Sequence, residues 1–221
     1  MGQRLIRELI ARGHRVHALV RAGSEKKLPP LAEAVVGNAL DASYAEAVPP
    51  SDTLVQLVGV AHPSPAKAAE FRKIDLPSGL AAVEAAKRAR HLVYVSVAHP
   101  APMMKAYIEV RSQVEGAIAA AGLNATILRP WYVLGQGHYW PYLLLPFYKL
   151  CEAIPATRDG ARRLGLVTLP EMVNALVAAV ENPVEGVRVV TVPEIRAASQ
   201  GVSHATNRRH AEPRQERSAS R

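Results

Sequence analysis

Hydrophobic positions switch between two periods along residues 2–192. Residues 2–12 place Leu5, Ile6, Leu9 and Ile10 at helical spacing, and Gly13 stands where a C-terminal cap belongs. Residues 16–20 form a short apolar run that predicts a strand, 34–36 a second closed by Gly37, and 53–58 a third between Pro49-Pro50 and Gly59. Residues 66–90 predict one long amphipathic helix with Leu76, Leu80, Val83 and Ala86 on its apolar stripe. A strand over 91–96, a helix over 103–121 stopped by Gly122, a strand over 124–129, a helix over 170–181 and a last strand over 187–192 complete the series. Strands this apolar, each separated from the next by a helix, predict an α/β fold: a doubly wound parallel sheet with helices on both faces. No internal repeat or heptad pattern interrupts it.

The order carries an anomaly. In a doubly wound nucleotide-binding sheet the first strand is central, and a glycine-rich turn leads from it into the first helix. Here the chain opens on the helix, and Met1-Gly2-Gln3-Arg4-Leu5 fits only the end of a G-x-x-G-x-x-G loop, with Gly2 as its last glycine. The expectation is an N-terminally truncated Rossmann-like sheet. The two neighbours of the absent strand would lie about 10 Å apart with unpaired backbone groups between them, a badly destabilising arrangement.

Composition narrows the function classes. The 221 residues carry a net charge of +8, but the 27 residues from 195 to 221 hold +4 of it among Ser, Ala, Gln and Pro with almost no apolar content. We therefore expect one folded domain over 1–194 and a disordered basic tail over 195–221. Basic residues in the domain are scattered and not interleaved with aromatics, which argues against a specific nucleic-acid interface. A single cysteine, Cys151, excludes an intramolecular disulfide and any zinc site built on two or more cysteines, and the eight histidines form no H-x-x-x-H pair, so no metal site is expected. There is no apolar run of the ~18 residues a membrane span needs, nor a signal-peptide pattern, and a cytoplasmic location is expected.

The series R-E-L-I-A-R-G-H-R-V-H-A-L-V-R (7–21), V-V-G-N-A-L-D (35–41), L-V-G-V-A (57–61), H-L-V-Y-V-S (91–96), Y-I-E-V-R (107–111) and T-I-L-R-P-W-Y-V-L-G (126–135) resembles, in order and spacing, the short-chain dehydrogenase/reductase superfamily in its atypical, NmrA-like or epimerase-like branches. The resemblance implies an NAD(P)-binding Rossmann fold. It also implies a catalytic trio at Ser96, Tyr107 and Arg111. The tyrosine exchanges a proton with the substrate oxygen and the serine helps to bind that oxygen. The basic residue four positions on lowers the tyrosine pKa and holds the nicotinamide ribose. Arg111 stands where lysine is usual, and a guanidinium cannot relay a proton near neutral pH. For the cofactor it implies contacts from Gly2, Arg21, Asn38, Gly59, Arg111 and Pro130. Arg21 ends the first strand where an acidic residue would favour NAD; its guanidinium suits the 2′-phosphate of NADP. Asn38 replaces the usual Asp beside adenine. Gly59 would let the backbone approach the dinucleotide closely. Asp75 stands where relatives often carry Asn, and reads equally as a support of the site or as a surface charge.

Seven of the eleven aromatic residues fall between 131 and 148. Trp131, Tyr132, Tyr139 and Trp140 would line a pocket for an apolar or ring-bearing substrate; a core and an interface are the competing readings. These features imply an oxidoreductase or epimerase/dehydratase-type enzyme on a small carbonyl or alcohol. The arginine at 111 keeps a second reading open, a non-catalytic NADP-binding sensor or accessory subunit. A third reading is a chain that binds no dinucleotide tightly because most of the phosphate loop is absent.

Overall fold

The computed structural model describes residues 1–41, 43–134 and 163–198. The helices are α1 (Gly2–Ala11), α2 (Tyr44–Ala47), α3 (Leu76–Ala86), α4 (Lys105–Ala120) and α5 (Leu169–Glu181). The strands are β1 (His17–Val20), β2 (Glu33–Val36), β3 (Ser51–Gln56), β4 (Ala89–Val95), β5 (Ala125–Leu128), β6 (Tyr132–Leu134), β7 (Leu166–Thr168) and β8 (Val187–Val190). Strands β3, β4, β5 and β8 form a parallel four-stranded sheet in that order. Strand β1 pairs in parallel with β2, and β6 with β7.

Alternation in β4 explains the two layers of helices. Val93 points into a core shared with Leu5 and Leu9 of α1, Leu128, and Met172 and Leu176 of α5. Leu92 and Tyr94 point the other way, onto Val83 and Ala86 of α3 and Val114 and Ile118 of α4. A strand buried on both faces needs apolar residues at consecutive positions, and β5 is buried throughout. The helix ends follow local chemistry. Gly13 caps α1 in the left-handed region, at φ +89°, and donates to the Ile10 carbonyl. At α5, Thr168 and Glu171 form a reciprocal capping box.

Three expectations need correction. The helix expected over 66–90 is interrupted: a single turn (Ala68–Glu70) runs into a π turn (Phe71–Asp75) before α3 begins. Pro77 lacks the N–H that an unbroken α-helix would donate, and the π turn absorbs the defect. Within α3 the buried face is the one of small residues: Leu80 is 41% exposed while Ala81, Ala82, Val83, Ala85 and Ala86 are buried. The domain does not stop at 194: residues 192–198 are helical, and Ile195 is fully buried in the α1–α5 core. The apolar pair Val192 and Ile195, one helical turn apart, escaped a boundary drawn from average composition. Finally, the short elements α2, β6 and β7 were not anticipated.

Among the described residues no backbone ladder joins β1 to β3. The β1–β2 pair is held instead by side chains, with Leu19 and Leu54 packing on Tyr44, Ala81 and Ala85, and by the Gln3 amide donating to the Lys27 carbonyl at 3.0 Å. Strand β2 is mostly exposed, Val36 at 50%. Amide hydrogen exchange should therefore run faster in β1 and β2 than in β4 and β5. Equal protection across all four strands would show that side-chain packing alone makes the two sheets one cooperative unit.

Candidate functional site

Parallel strands deliver residues to one edge. Arg21 follows β1, Asn38 follows β2, Gly59 follows β3, Ser96 follows β4 and Pro130 follows β5. The N-terminus of α1 belongs to the same edge: a Cβ on Gly2 would lie 3.9 Å from Leu57, just beyond β3. Arg21 is exposed, and its side chain makes no ion pair or hydrogen bond with another described residue. Asn38 is exposed and its side-chain oxygen accepts from the Leu40 N–H at 3.1 Å, closing a turn on its own backbone. Pro130 is buried and its carbonyl accepts from Ala98 at 2.9 Å.

The centre of the site is a buried ion pair. Asp75, fixed by the π turn, has a fully buried side chain, and its Oδ1 accepts from Arg111 Nη2 at 2.5 Å. Its Oδ2 accepts from the Val60 N–H at 3.1 Å. Arg111 Nη1 donates to the Val95 carbonyl at 2.8 Å and reaches the Tyr94 hydroxyl at 3.4 Å. The guanidinium also lies over two aromatic rings, 5.1 Å from the Tyr107 centroid and 5.7 Å from that of Tyr94. Of the three guanidinium nitrogens, Nε alone is left buried without a partner. Burial pushes the Asp75 carboxyl above the usual carboxylate range, while Arg111 and the Val60 N–H pull it down. Burial also raises the phenols, Tyr94 to about 12 and Tyr107 above its ordinary value, with Arg111 opposing in both cases.

Two expected cofactor contacts have partners within the protein. Both Nη atoms of Arg111 are engaged by Asp75, Val95 and Tyr94. Gly59 lies against the ion pair: a Cβ there would collide with Arg111 Nη2 and sit 2.8 Å from Asp75 Oδ1. The ion pair itself demands this glycine.

Ser96 and Tyr107 belong to different clusters. Ser96 is buried and donates to Glu115 Oε1 at 2.5 Å. Glu115 also accepts from Arg129 through Nε at 3.0 Å and through Nη2, and His99 Nε2 lies 3.6 Å from it. Tyr107 packs on Phe71, ring centroids 4.8 Å apart. Together with Pro65, Phe71, Pro102, Met103 and Met104 it lines an apolar cleft of about 390 Å³. Sequence reasoning missed Glu115. Its signal was present, because Tyr107, Arg111 and Glu115 recur at intervals of four along one face of α4. Trp131 packs against the α1–α5 core and Tyr132 begins β6; Tyr139, Trp140 and Cys151 lie outside the described residues. No group of His, Cys, Asp or Glu among the described residues could hold a metal ion, and no described helix is long and apolar enough to cross a membrane. Since the glycine seals the ion pair, Gly59→Ala should destabilise the protein by about 1–3 kcal/mol, read as a lower denaturation midpoint; an unchanged midpoint would mean that Arg111 has room to move.

Known proteins place this geometry. No curated protein matches the chain in sequence. Solved structures do match in fold. Bordetella bronchiseptica WbmH in complex with NAD+ is 18% identical, with a TM-score of 0.61 over 93% of this chain and 77% of its own. The UDP-glucose 4-epimerase of Thermus thermophilus, in complex with NAD, is 17% identical, with a TM-score of 0.58 over 93% of this chain and 80% of its own. A short-chain dehydrogenase/reductase superfamily protein from Agrobacterium tumefaciens with bound NAD is 14% identical, with a TM-score of 0.61 over 93% and 80%. The fold is thus the Rossmann-like one that these proteins share. A family model described as NAD(P)H-binding matches residues 1–137: the chain belongs to the NAD(P)H-binding family.

Proposed function

We propose that the protein is an NADP(H)-dependent oxidoreductase or epimerase-type enzyme acting on a small apolar or ring-bearing carbonyl or alcohol, with Tyr107 exchanging the proton. One observation carries the reading: a half-buried phenol next to a buried guanidinium forms part of the wall of an apolar cleft at the first turn of α4. Such a cleft favours an apolar body, and the phenol can give a proton to, or take one from, an oxygen placed against it.

The residues present fit a dinucleotide. The α1 N-terminus has no side-chain cap and no acidic residue in its first turn, so its positive end is open to a pyrophosphate. Arg21, whose guanidinium has no ion pair or hydrogen bond among the described residues, would hold a 2′-phosphate. Asn38 would offer its amide to the adenine, and Pro130 would form part of the wall beside the nicotinamide. When bound, the dinucleotide supplies or accepts the hydride. Arg111 orients the Tyr107 ring from beneath, and Ser96, held by Glu115, would need to turn toward the cleft to bind substrate oxygen.

A second reading has its own support. With Arg111 bound to Asp75 and Ser96 to Glu115, the trio is engaged internally, which suits an NADP-binding sensor or accessory subunit. Two measurements separate these. Arg21→Ala should weaken NADPH binding about tenfold or more while leaving NADH binding nearly unchanged; equal losses for both would remove the 2′-phosphate role. Against a panel of apolar aldehydes and ketones, Tyr107→Phe should reduce turnover about a hundredfold or more with NADPH binding intact. Saturable NADPH binding with no turnover of any carbonyl by the unmodified protein would favour the sensor.

A further inference from the structure

We infer that Asp75 is a positioning residue that restrains Tyr107: by binding Arg111 it cancels the buried cation beside the phenol and withholds the activation that this cation would give. The inference rests on the reading of Tyr107 as the proton-exchanging group.

The geometry makes Arg111 dependent on Asp75. The guanidinium is buried 5.1 Å from the Tyr107 ring centre, a distance at which an isolated positive charge favours a phenolate strongly. It is not isolated. A carboxylate 2.5 Å from Nη2 turns the cation into one end of a dipole, and that carboxylate is anchored a second time by the Val60 N–H. Gly59 passes close by both groups, so that a Cβ there would overlap Arg111 Nη2 and lie 2.8 Å from Asp75 Oδ1. A guanidinium keeps its proton at any working pH, so the positive charge that reaches Tyr107 is set by Asp75 and not by the titration of Arg111.

Other groups near the phenol do not take over this role. Tyr94 of β4 is uncharged at neutral pH and its hydroxyl meets the same guanidinium. Lys105 begins α4 at the exposed mouth of the cleft. Glu115 is occupied by Arg129 and Ser96, and Glu109 faces Arg72 at the surface. Asp75 is the carboxylate in direct contact with the cation under the ring.

The test is an NMR titration of the full chain, isotope-labelled at tyrosine Cζ, with the Tyr107 signal assigned by its loss in Tyr107→Phe. The unmodified protein should titrate above the ordinary phenol value of about 10; a midpoint at or below that value overturns the proposal without any further variant. In Asp75→Asn the midpoint should fall by about one pH unit or more. In Asp75→Asn/Arg111→Met it should return to the original value or exceed it. A midpoint in Asp75→Asn equal to or above that of the unmodified protein overturns the inference.

Stranding a buried guanidinium can prevent folding. If Asp75→Asn does not fold, Asp75→Asn/Arg111→Lys is compared with Asp75→Asn/Arg111→Met. A midpoint lower by about one unit in the lysine variant supports the restraint, and equal midpoints overturn it. NADPH binding is measured on the same unmodified sample. Failure to bind would count against the proposed function, whereas the tyrosine titrations decide the role of Asp75 independently.

Discussion

A charge taken out of water must be matched where it is buried, and in this protein that requirement organises the carboxyl edge of the sheet. Arg111 enters the core from α4 with only 6% of its side chain exposed, and Asp75 meets it from a π turn with none. Removing either partner alone would leave a bare charge at a cost of about 3–5 kcal/mol. Everything nearby conforms to the pair. Gly59 has no side chain because the guanidinium occupies its space, Val60 donates its N–H to the carboxylate, and Val95 offers its carbonyl to the arginine. One ion pair thereby ties the segment after β3, the end of β4 and two helices into a single block.

A second polar cluster stands beside it on the same helix. Glu115 gathers Ser96, Arg129 and His99, so the strand ends of β4 and β5 are cross-linked through α4. The two clusters divide the residues that a dehydrogenase would use together: the tyrosine goes with one, the serine with the other. That division is the structural basis for weighing a catalytic against a purely nucleotide-binding role. The three solved structures described above each hold NAD. The cleft at Tyr107 is lined mostly by apolar side chains.

Much of this architecture was legible in the chain. Apolar runs of four to seven residues separated by amphipathic stretches mark a buried parallel sheet, and strand ends mark where ligand-facing residues lie, because both are local consequences of period and direction. What escaped is non-local. Nothing in the spacing of Asp75 and Arg111 says that residues 36 apart will meet. Each looked like an isolated departure from a family pattern, although their charges are complementary. The same blindness hid the close approach of Gly59 to the pair. The π turn was hidden because its cause, Pro77, sits inside a run whose composition is otherwise helical. Ile195 was lost to averaging over its basic neighbours.

The lack of a backbone ladder between β1 and β3 among the described residues has a consequence beyond stability. Among the described residues each of these strands has a hydrogen-bonded neighbour on one side only, and an unpaired row of backbone donors and acceptors is a template for any extended peptide that approaches in register. Neither carries a proline or a lysine to discourage it, although Asp52 and its partner Arg90 place charge at the start of the β3 edge. Where no further strand covers them, such rims favour pairing between extended chains over the solubility of a single one.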